Sequence, residues 1–335
     1  MAKRKERLDR GIKVRADSIY LISSWEEILY LSFPRILVFS FFLLLPFFLS
    51  FSGYWQKVFC ITCIYILLSI SFDFLANFTG LVCLGSSLFI GIGGYFSGWL
   101  NSAIHLPIFL SIPIATIGGA IFCTLLIIPT LSLRGVYFAI VTLMLPLLMT
   151  RIIEALAILG GTNGLVGIEG FSSIWIQIYV LSIITLFFIF ALRRISGEDI
   201  GILIKAVKDN DQSVKASGIN PVNVKIISVF ISSLIGCFAG AYLTHMYMWA
   251  GMSMFALDFS IIPIAATVIG GGGTIFGAML GAIILVPLSE ILRDFGTLRI
   301  VIYSLILTIV IVYKSEGILN FLSRKYHQFE RWIEV

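Results

Sequence analysis

The sequence predicts an all-α membrane protein that crosses the bilayer about ten times, with some helices shortened by glycine breaks. Of its 335 residues, 59% are hydrophobic and only 12% are charged, whereas soluble domains carry about 25% charged residues. Long apolar runs recur along the chain, and a run of about 18 or more residues is long enough to cross the hydrocarbon core as a helix. A soluble fold is disfavoured because a domain of this length leaves much of its surface wetted.

The first 35 residues are expected to form a cytoplasmic tail. A cleavable signal peptide would join a short basic start to a brief apolar stretch, so we interpret this longer basic segment as a tail before an uncleaved first span. Residues 16–33 have apolar positions at helical spacing, which favours an interfacial helix on the inner leaflet or, as the alternative, a solvated segment. The basic residues of the tail include Lys3, Arg4, Lys5, Arg7, Arg10, Lys13 and Arg15.

A transmembrane domain is predicted at residues 36–313, followed by a cytoplasmic C-terminal tail at 314–335. Two short spans, at 259–270 and 274–289, flank a run of four glycines. They are either one long helix or two helices joined by a turn. Ten crossings, unlike nine, place all the basic segments on the cytoplasmic side, as the positive-inside rule favours. The spans are predicted at 36–52, 58–76, 81–100, 107–129, 136–158, 174–192, 224–248, 259–270, 274–289 and 298–313.

Five ionisable residues lie in or beside these spans: Asp73, Arg151, Glu154, His245 and Asp258. Each is a functional hypothesis, because a charge at bilayer depth costs about 2.5–3.5 kcal/mol on insertion scales. Arg151 and Glu154 are three residues apart on one helix and are expected to pair. His245 and Asp258 are expected near the outer boundary, in contact with water. The five do not form a proton-relay pattern, which disfavours a proton-driven carrier.

No ATP-binding loop is visible in the sequence. The glycine-rich segment 160–170 lacks the Lys followed by Ser or Thr of a phosphate-binding loop and follows a membrane helix rather than a strand. The chain is therefore not expected to be an enzyme, and neither a metal site nor nucleic-acid binding is predicted.

One charged insert, at residues 193–225, interrupts the apolar chain and is expected to touch a partner. It is too short to be a domain, and its apolar residues predict a single helix with one buried stripe. Gly218 is expected to end that helix, and Pro221 to prevent its continuation. The alternatives are a helix lying on the membrane and a helix docked into a groove of another protein. The predicted stripe consists of Ile202, Ala206, Val207, Asn210 and Val214.

Part of this insert, KAVKDND at 205–211 and ASGIN at 216–220, resembles the cytoplasmic coupling segment of the branched-chain amino acid ABC transporter permeases. Four further segments are similar to motifs of that family, in the same order and at about the same spacing. The resemblance covers roughly residues 70–317, whereas residues 1–57 have no counterpart. The further segments are NFTG at 77–80 with the glycines up to Gly94, LRGVYFAIVTL at 133–143, GGTNGL at 160–165 and VIGGGGTIFG at 268–277.

The resemblance implies the membrane-spanning subunit of an ABC importer for branched-chain or other hydrophobic amino acids, in the cytoplasmic (inner) membrane of a bacterium or archaeon. It implies no bound cofactor, ATP being used by cytoplasmic ABC ATPase subunits. The other implied partners are a second homologous permease or a second copy of this chain, an extracytoplasmic substrate-binding protein and the lipid bilayer. Both termini would be cytoplasmic. ATPase coupling, within an insert taken as 193–223, is implied for Lys205, Ala206, Val207, Lys208, Asp209, Asn210 and Gly218.

A translocation path is expected where helices end at glycine breaks, because free helix ends offer polar contacts to a passing zwitterion. The exact substrate and the homodimeric or heterodimeric pairing stay open. The alternatives are a urea or short-amide permease, a stand-alone channel or secondary carrier, and a membrane scaffold without transport. The candidate path residues are Asn77, Thr79, Gly80, Gly94, Thr162, Asn163, Gly270, Gly271, Gly272 and Gly273.

Overall fold

The fold consists of packed helices joined by short links. The computed structural model describes residues 52–133 and 135–296, and also 5–7, 36, 38–40, 42–44, 46–47, 298, 301, 305, 308, 317–322 and 332–334. The interfacial helix predicted at 16–33 and Arg134 lie outside the described residues, as do parts of the first and tenth predicted spans. The helices are α1 (Gly53–Asp73), α2 (Ser86–Ile104), α3 (Ile108–Ile127), α4 (Val136–Leu156), α5 (Ile174–Gly197), α6 (Asp199–Asp209), α7 (Asp211–Ala216), α8 (Pro221–Tyr247), α9 (Asp258–Gly270) and α10 (Ile275–Ile291).

The predicted all-α membrane fold is confirmed. Within the described part of the chain, six segments are long and apolar enough to cross a membrane, and α10 is a shorter apolar helix. A short antiparallel pair, β1 (Lys5–Arg7) with β2 (Trp332–Glu334), places the two ends of the chain side by side. The six segments are Gly53–Thr79, Ile108–Ser132, Val136–Leu156, Ile174–Gly197, Pro221–Tyr247 and Met252–Gly270.

The links between helices gather at two opposite ends of the bundle. We name them the insert end, which holds residues 80–85, α6, α7 and the turn after α9, and the far end, which holds the links 105–107, 157–173 and 248–251. At the insert end α6 touches the last turn of α1, where Lys208 bonds to Asn77. At the far end residue Leu165 pairs with Ala250 through two backbone hydrogen bonds. Successive long helices therefore run in alternating directions between these two ends.

Helices α9 and α10 form a tight antiparallel hairpin around glycines. A methyl group on Gly270 would overlap the backbone oxygen of Gly277, and one on Gly281 would overlap that of Ala266. These two pairs run in opposite chain directions, so α9 and α10 are two helices and not one. Because Gly271 has φ 109°, a conformation that glycine adopts without strain, the chain turns directly after α9. The predicted glycine turn is confirmed, and it is the arrangement that ten crossings require.

Small residues also hold α2 against α8 in the centre of the bundle. A methyl group on Gly93 would overlap the backbone of Cys237, and one on Gly240 would overlap the carbonyl of Ile90. Close backbone approach of this kind is how small residues favour helix association in membranes. By contrast, α4 lies at the periphery of the bundle. Of its most apolar stretch only 28% is buried, compared with 94% for that of Gly53–Thr79.

The predicted start of the third span was wrong. Residues 80–85 are not helical, and α2 begins only at Ser86, after a π-helical turn, Phe74–Thr79, that ends α1. Side chains of other helices take up the freed backbone donors, because Leu84 N bonds to Thr142 Oγ1 (3.1 Å) and Ser87 N to Ser260 Oγ (3.0 Å). Non-helical backbone is tolerated at membrane depth only when it is satisfied in this way or lines a wet cavity.

The insert forms two helices instead of the predicted one. The chain breaks at Asn210, whose side-chain oxygen accepts from the backbone N–H groups of Gln212 (2.9 Å) and Ser213 (3.2 Å) and so caps α7. The predicted stripe was therefore wrong in part: Val207 and Val214 are buried, but Ile202 and Ala206 are exposed, and the unpredicted Ile204 is buried.

Two further details of the insert differ from expectation or extend it. Gly218, with φ +84°, follows α7 as predicted. Pro221 does not merely stop a helix but is the first residue of α8, next to the capping side chain of Asn220. The missing N–H of proline costs nothing at that position.

Candidate functional site

Helix α6 holds the π turn at the end of α1 through two lysines. Lys208 Nζ donates to the carbonyl of Asn77 (2.8 Å), and its side-chain stem lies directly against Gly80. One turn earlier, Lys205 Nζ lies 5.4 Å from the centre of the Phe78 ring, within the range of a cation–π contact. The exposed insert is thus attached to a membrane helix at adjacent points.

A cavity of about 320 Å³ opens beside this attachment. One wall comes from the predicted coupling residues 207–210, another from the predicted path residues Thr79 and Gly80 with the extended segment that follows them. Apolar side chains, among them Val82 and Phe138, share the lining with Lys225 and Asp211, which form a salt bridge of 2.6 Å. The predicted coupling residues and some of the predicted path residues therefore line the same cavity.

Behind the π turn, a buried carboxyl group joins α1 to the glycine turn. Asp73 is fully buried, and its Oδ1 accepts from Asn77 Nδ2 (2.7 Å) and from the backbone N–H of Gly273 (2.7 Å). Gly272 lies so close to the Asn77 amide that a methyl group at that position would meet it. The second carboxyl oxygen, Oδ2, is buried and has no hydrogen-bond partner within the part of the chain that the structure describes.

The ten predicted path residues do not form one site. Asn77, Thr79, Gly80 and the glycines 270–273 lie together at the insert end. Thr162 and Asn163 lie at the far end, where the Asn163 carbonyl accepts from Trp249 Nε1 (3.2 Å). Gly94 lies between these ends, in the packed contact of α2 with Thr244 and Met254.

A buried polar network at the far end was not predicted from the sequence. His245 is buried, contrary to the wet position predicted for it, and its ring nitrogens contact Ser97 Oγ (2.9 Å) and the carbonyl oxygen of Glu169 (2.7 Å). Glu169 N also donates to Asn101 Oδ1 (2.7 Å). These partners are far apart in sequence, and only the presence of a histidine inside an apolar run pointed to any of them.

Two ionisable residues of the fifth predicted span are paired as predicted. Arg151 Nη1 lies 2.8 Å from Glu154 Oε2, and both side chains are exposed on the protein surface. Because the pair sits in the last turns of α4 at the far end, it lies where long charged side chains reach the water of the membrane interface.

Comparison with known proteins decides the family. Residues 56–313 match the family profile of the branched-chain amino acid transport system / permease component. The chain belongs to this family. The match begins in α1 and includes every long helix described above, the π turn, the insert and the glycine hairpin, so the permease is a multi-pass membrane protein.

Several curated permeases are similar to this one along most of their length. The high-affinity branched-chain amino acid transport system permease protein LivM of Escherichia coli (strain K12) is 26% identical over 290 residues, which are 77% of this chain and 68% of LivM. The LivM of Salmonella typhimurium is also 26% identical, and a probable LivM of Methanocaldococcus jannaschii is 23% identical over 272 residues. No solved structure matches the chain.

Proposed function

We propose that this permease is the membrane-spanning subunit of an ABC importer that carries branched-chain amino acids. The observation that carries the proposal is the family match over 56–313, found in a chain that also exposes a short amphipathic helix outside its membrane-spanning segments. The substrate class follows that of the similar permeases, which are branched-chain amino acid transport proteins.

The exposed side of α6 supports docking of a cytoplasmic ATPase. Ile202 is 62% exposed, on the side of this helix opposite to the buried Ile204 and Val207, and Ile200 in the first turn is 55% exposed. A short helix that presents apolar side chains to solvent fits the helix-in-groove mode of recognition. We assign ATP binding and hydrolysis to the ATPase partners and no cofactor to the permease itself.

The proposed mechanism is alternating access driven from the insert end. Closure of two ATPases on ATP would displace α6, and the lysine contacts with the π turn would pass that displacement to α1. The cavity between α6 and residues 79–82 would change shape as α6 moves, which opens or closes the path at this end. Rigid-body movement of packed helices is a common form of such a switch.

The remaining partners follow from the surface and from what an importer requires. The apolar face of α4, with exposed residues such as Tyr137, Met144 and Leu148, would pair with a second permease or a second copy around a central path. An extracytoplasmic binding protein would deliver substrate to the far end, near Thr162 and Asn163. Neither contact involves nucleic acid.

We place the permease in the cytoplasmic membrane with the insert end and both termini inside. This orientation keeps the basic insert in the cytoplasm and agrees with the pairing of the two chain ends. Single cysteines at Asn163 and Asn210, both exposed, test it. A membrane-impermeant maleimide applied to intact cells is expected to label position 163 and not 210; the reverse result would contradict the orientation.

The function is tested by reconstituting the permease with its ATPases and binding protein in proteoliposomes and measuring ATP-dependent leucine uptake. Ile202→Glu is expected to abolish ATPase co-purification and uptake without unfolding the permease, since the side chain is exposed. Ile202→Leu keeps an apolar contact and is expected to retain both. The proposal fails if uptake does not depend on ATP or if no ATPase co-purifies with the unaltered chain.

A further inference from the structure

We propose that Asp73 is a positioning residue that transmits the movement of α6 to the glycine hairpin α9–α10. The inference rests on the proposed function, because it assumes that α6 is moved by an ATPase. It adds a route by which that movement reaches the hairpin through the π turn.

The first step of the route is the contact between α6 and the π turn. Lys208 bonds to the carbonyl of Asn77 and packs along Gly80, and Lys205 contacts Phe78. All three contacted residues lie in or directly after Phe74–Thr79. A π-helical turn inside a membrane helix is rare and is often found at functional sites, so movement of α6 acts on a segment that is already irregular.

The second step is the bond between the π turn and the hairpin. Asp73 directly precedes the π turn and Asn77 lies within it, and both contact the glycine turn. Because Gly271 and Gly273 have positive φ angles, the Gly273 N–H is free of the helix ladder and points to the carboxyl group instead. The turn is therefore held to α1 by a side chain and not by helix packing alone.

The hairpin moves as one body because α9 and α10 touch backbone to backbone. Gly270 with Gly277 and Gly281 with Ala266 leave no room for a side chain between the helices, so they cannot slide apart without losing that contact. Gly317, beyond the tenth predicted span, also lies against Gly271. A displacement of the glycine turn is therefore passed to α9, α10 and Gly317.

A purely structural role accounts poorly for a carboxyl group at this position. Burying a carboxyl group is costly unless its oxygens are well paired, and Asp73 Oδ2 has no partner among the described residues. Lys208 of α6 bonds to the carbonyl of Asn77, whose side chain donates to this carboxyl group, so the carboxyl group is linked to the position of the docking helix. An apolar residue would fill the space without that coupling.

The test uses the full transporter in proteoliposomes and measures leucine taken up per ATP hydrolysed. Asp73→Asn keeps the shape but weakens both bonds to Oδ1, and uptake per ATP is expected to fall about tenfold, the effect of losing a hydrogen bond to a charged group. ATPase co-purification and thermal stability are measured in parallel. The matched control is Thr267→Ala, which removes a buried hydrogen bond between α9 and Ser69 of α1 (3.3 Å) but touches neither the π turn nor the glycine turn; it is expected to leave the ratio unchanged.

The inference is overturned if Asp73→Asn keeps the ratio of the unaltered transporter, or if Thr267→Ala lowers it equally. If Asp73→Asn does not fold, Asn77→Ala decides the question. It removes one donor to Asp73 but keeps the carboxyl group and its Gly273 bond, and the ratio is expected to fall; an unchanged ratio overturns the inference. Absence of ATP-dependent uptake by the unaltered transporter would instead contradict the proposed function.

Discussion

The insert end and the far end of the bundle are connected in different ways. At the far end, loops join directly to each other through buried contacts: Leu165 pairs with Ala250, and His245 bonds to the Glu169 carbonyl. At the insert end, α6 meets the π turn through lysine side chains of an exposed helix, beside a cavity of about 320 Å³, and a buried carboxyl group joins α1 to the glycine turn. In the proposed mechanism the far end keeps its shape, and whole elements move at the insert end.

The difference follows from the kind of contact each end uses. Buried hydrogen bonds between loops lose their partners when the loops separate, and an unpaired buried group costs about 1–3 kcal/mol. The lysines of α6 are exposed, so they can move together with α6 and the π turn without leaving a buried group unpaired. Under the proposed function, movement driven by an ATPase would therefore concentrate at the insert end, while the far end keeps its shape.

The largest effect is expected from separating α9 from α10, the hairpin that is proposed to move as one body. Gly281→Ala places a methyl group on the Ala266 carbonyl oxygen, forces α9 from α10 and is expected to cost about 3 kcal/mol, with loss of folded protein. The measurement is the monodisperse yield and melting temperature in detergent. Gly197→Ala, at the open end of α5, is the control and is expected to fold normally. Normal melting of Gly281→Ala would contradict a rigid hairpin.

The far end is tested by His245→Ala, which leaves the Glu169 carbonyl without its ring partner. Stability is expected to fall by about 2 kcal/mol, seen as a lower melting temperature, while leucine uptake per ATP by the folded fraction stays constant. His245→Asn retains a polar side chain and is expected to lose less. A change in uptake per ATP would show that the far end also moves, and would remove the contrast between the ends.

The smallest effect is expected at the insert itself. Asn210→Ala removes the side-chain cap of α7 and is expected to destabilise that helix by about 1 kcal/mol. Amide hydrogen exchange is expected to speed up in 211–216 and to remain unchanged in the core of α8. Gln212→Ala, which leaves the cap in place, is the comparison. Equal exchange in both variants would mean that the salt bridge of Asp211 with Lys225 holds α7 without the cap.

Predictions from the sequence succeeded where a simple rule applies. The glycine turn was predicted because two helices around it place all the basic segments on one side of the membrane, and the Arg151–Glu154 pair because residues three apart share a helix face. The insert stripe failed because α6 buries the side that carries Ile204 and Val207, so Ile202 and Ala206 are exposed although both precede the break at Asn210. Which side of a short amphipathic helix faces its neighbours is set by the helices it contacts.

The membrane fold was determined by the sequence alone, because transfer of a segment into lipid depends mainly on that segment's own apolar length. Only the tertiary structure decided that Asp73 meets Gly273, two hundred positions later. It also decided that Lys208 bonds to the π turn directly after Asp73. Hydropathy gives an apolar helix no preferred neighbour within the bilayer, since lipid is as apolar as another helix. Its partners are chosen by backbone fit at glycines and by the few polar groups that must find each other.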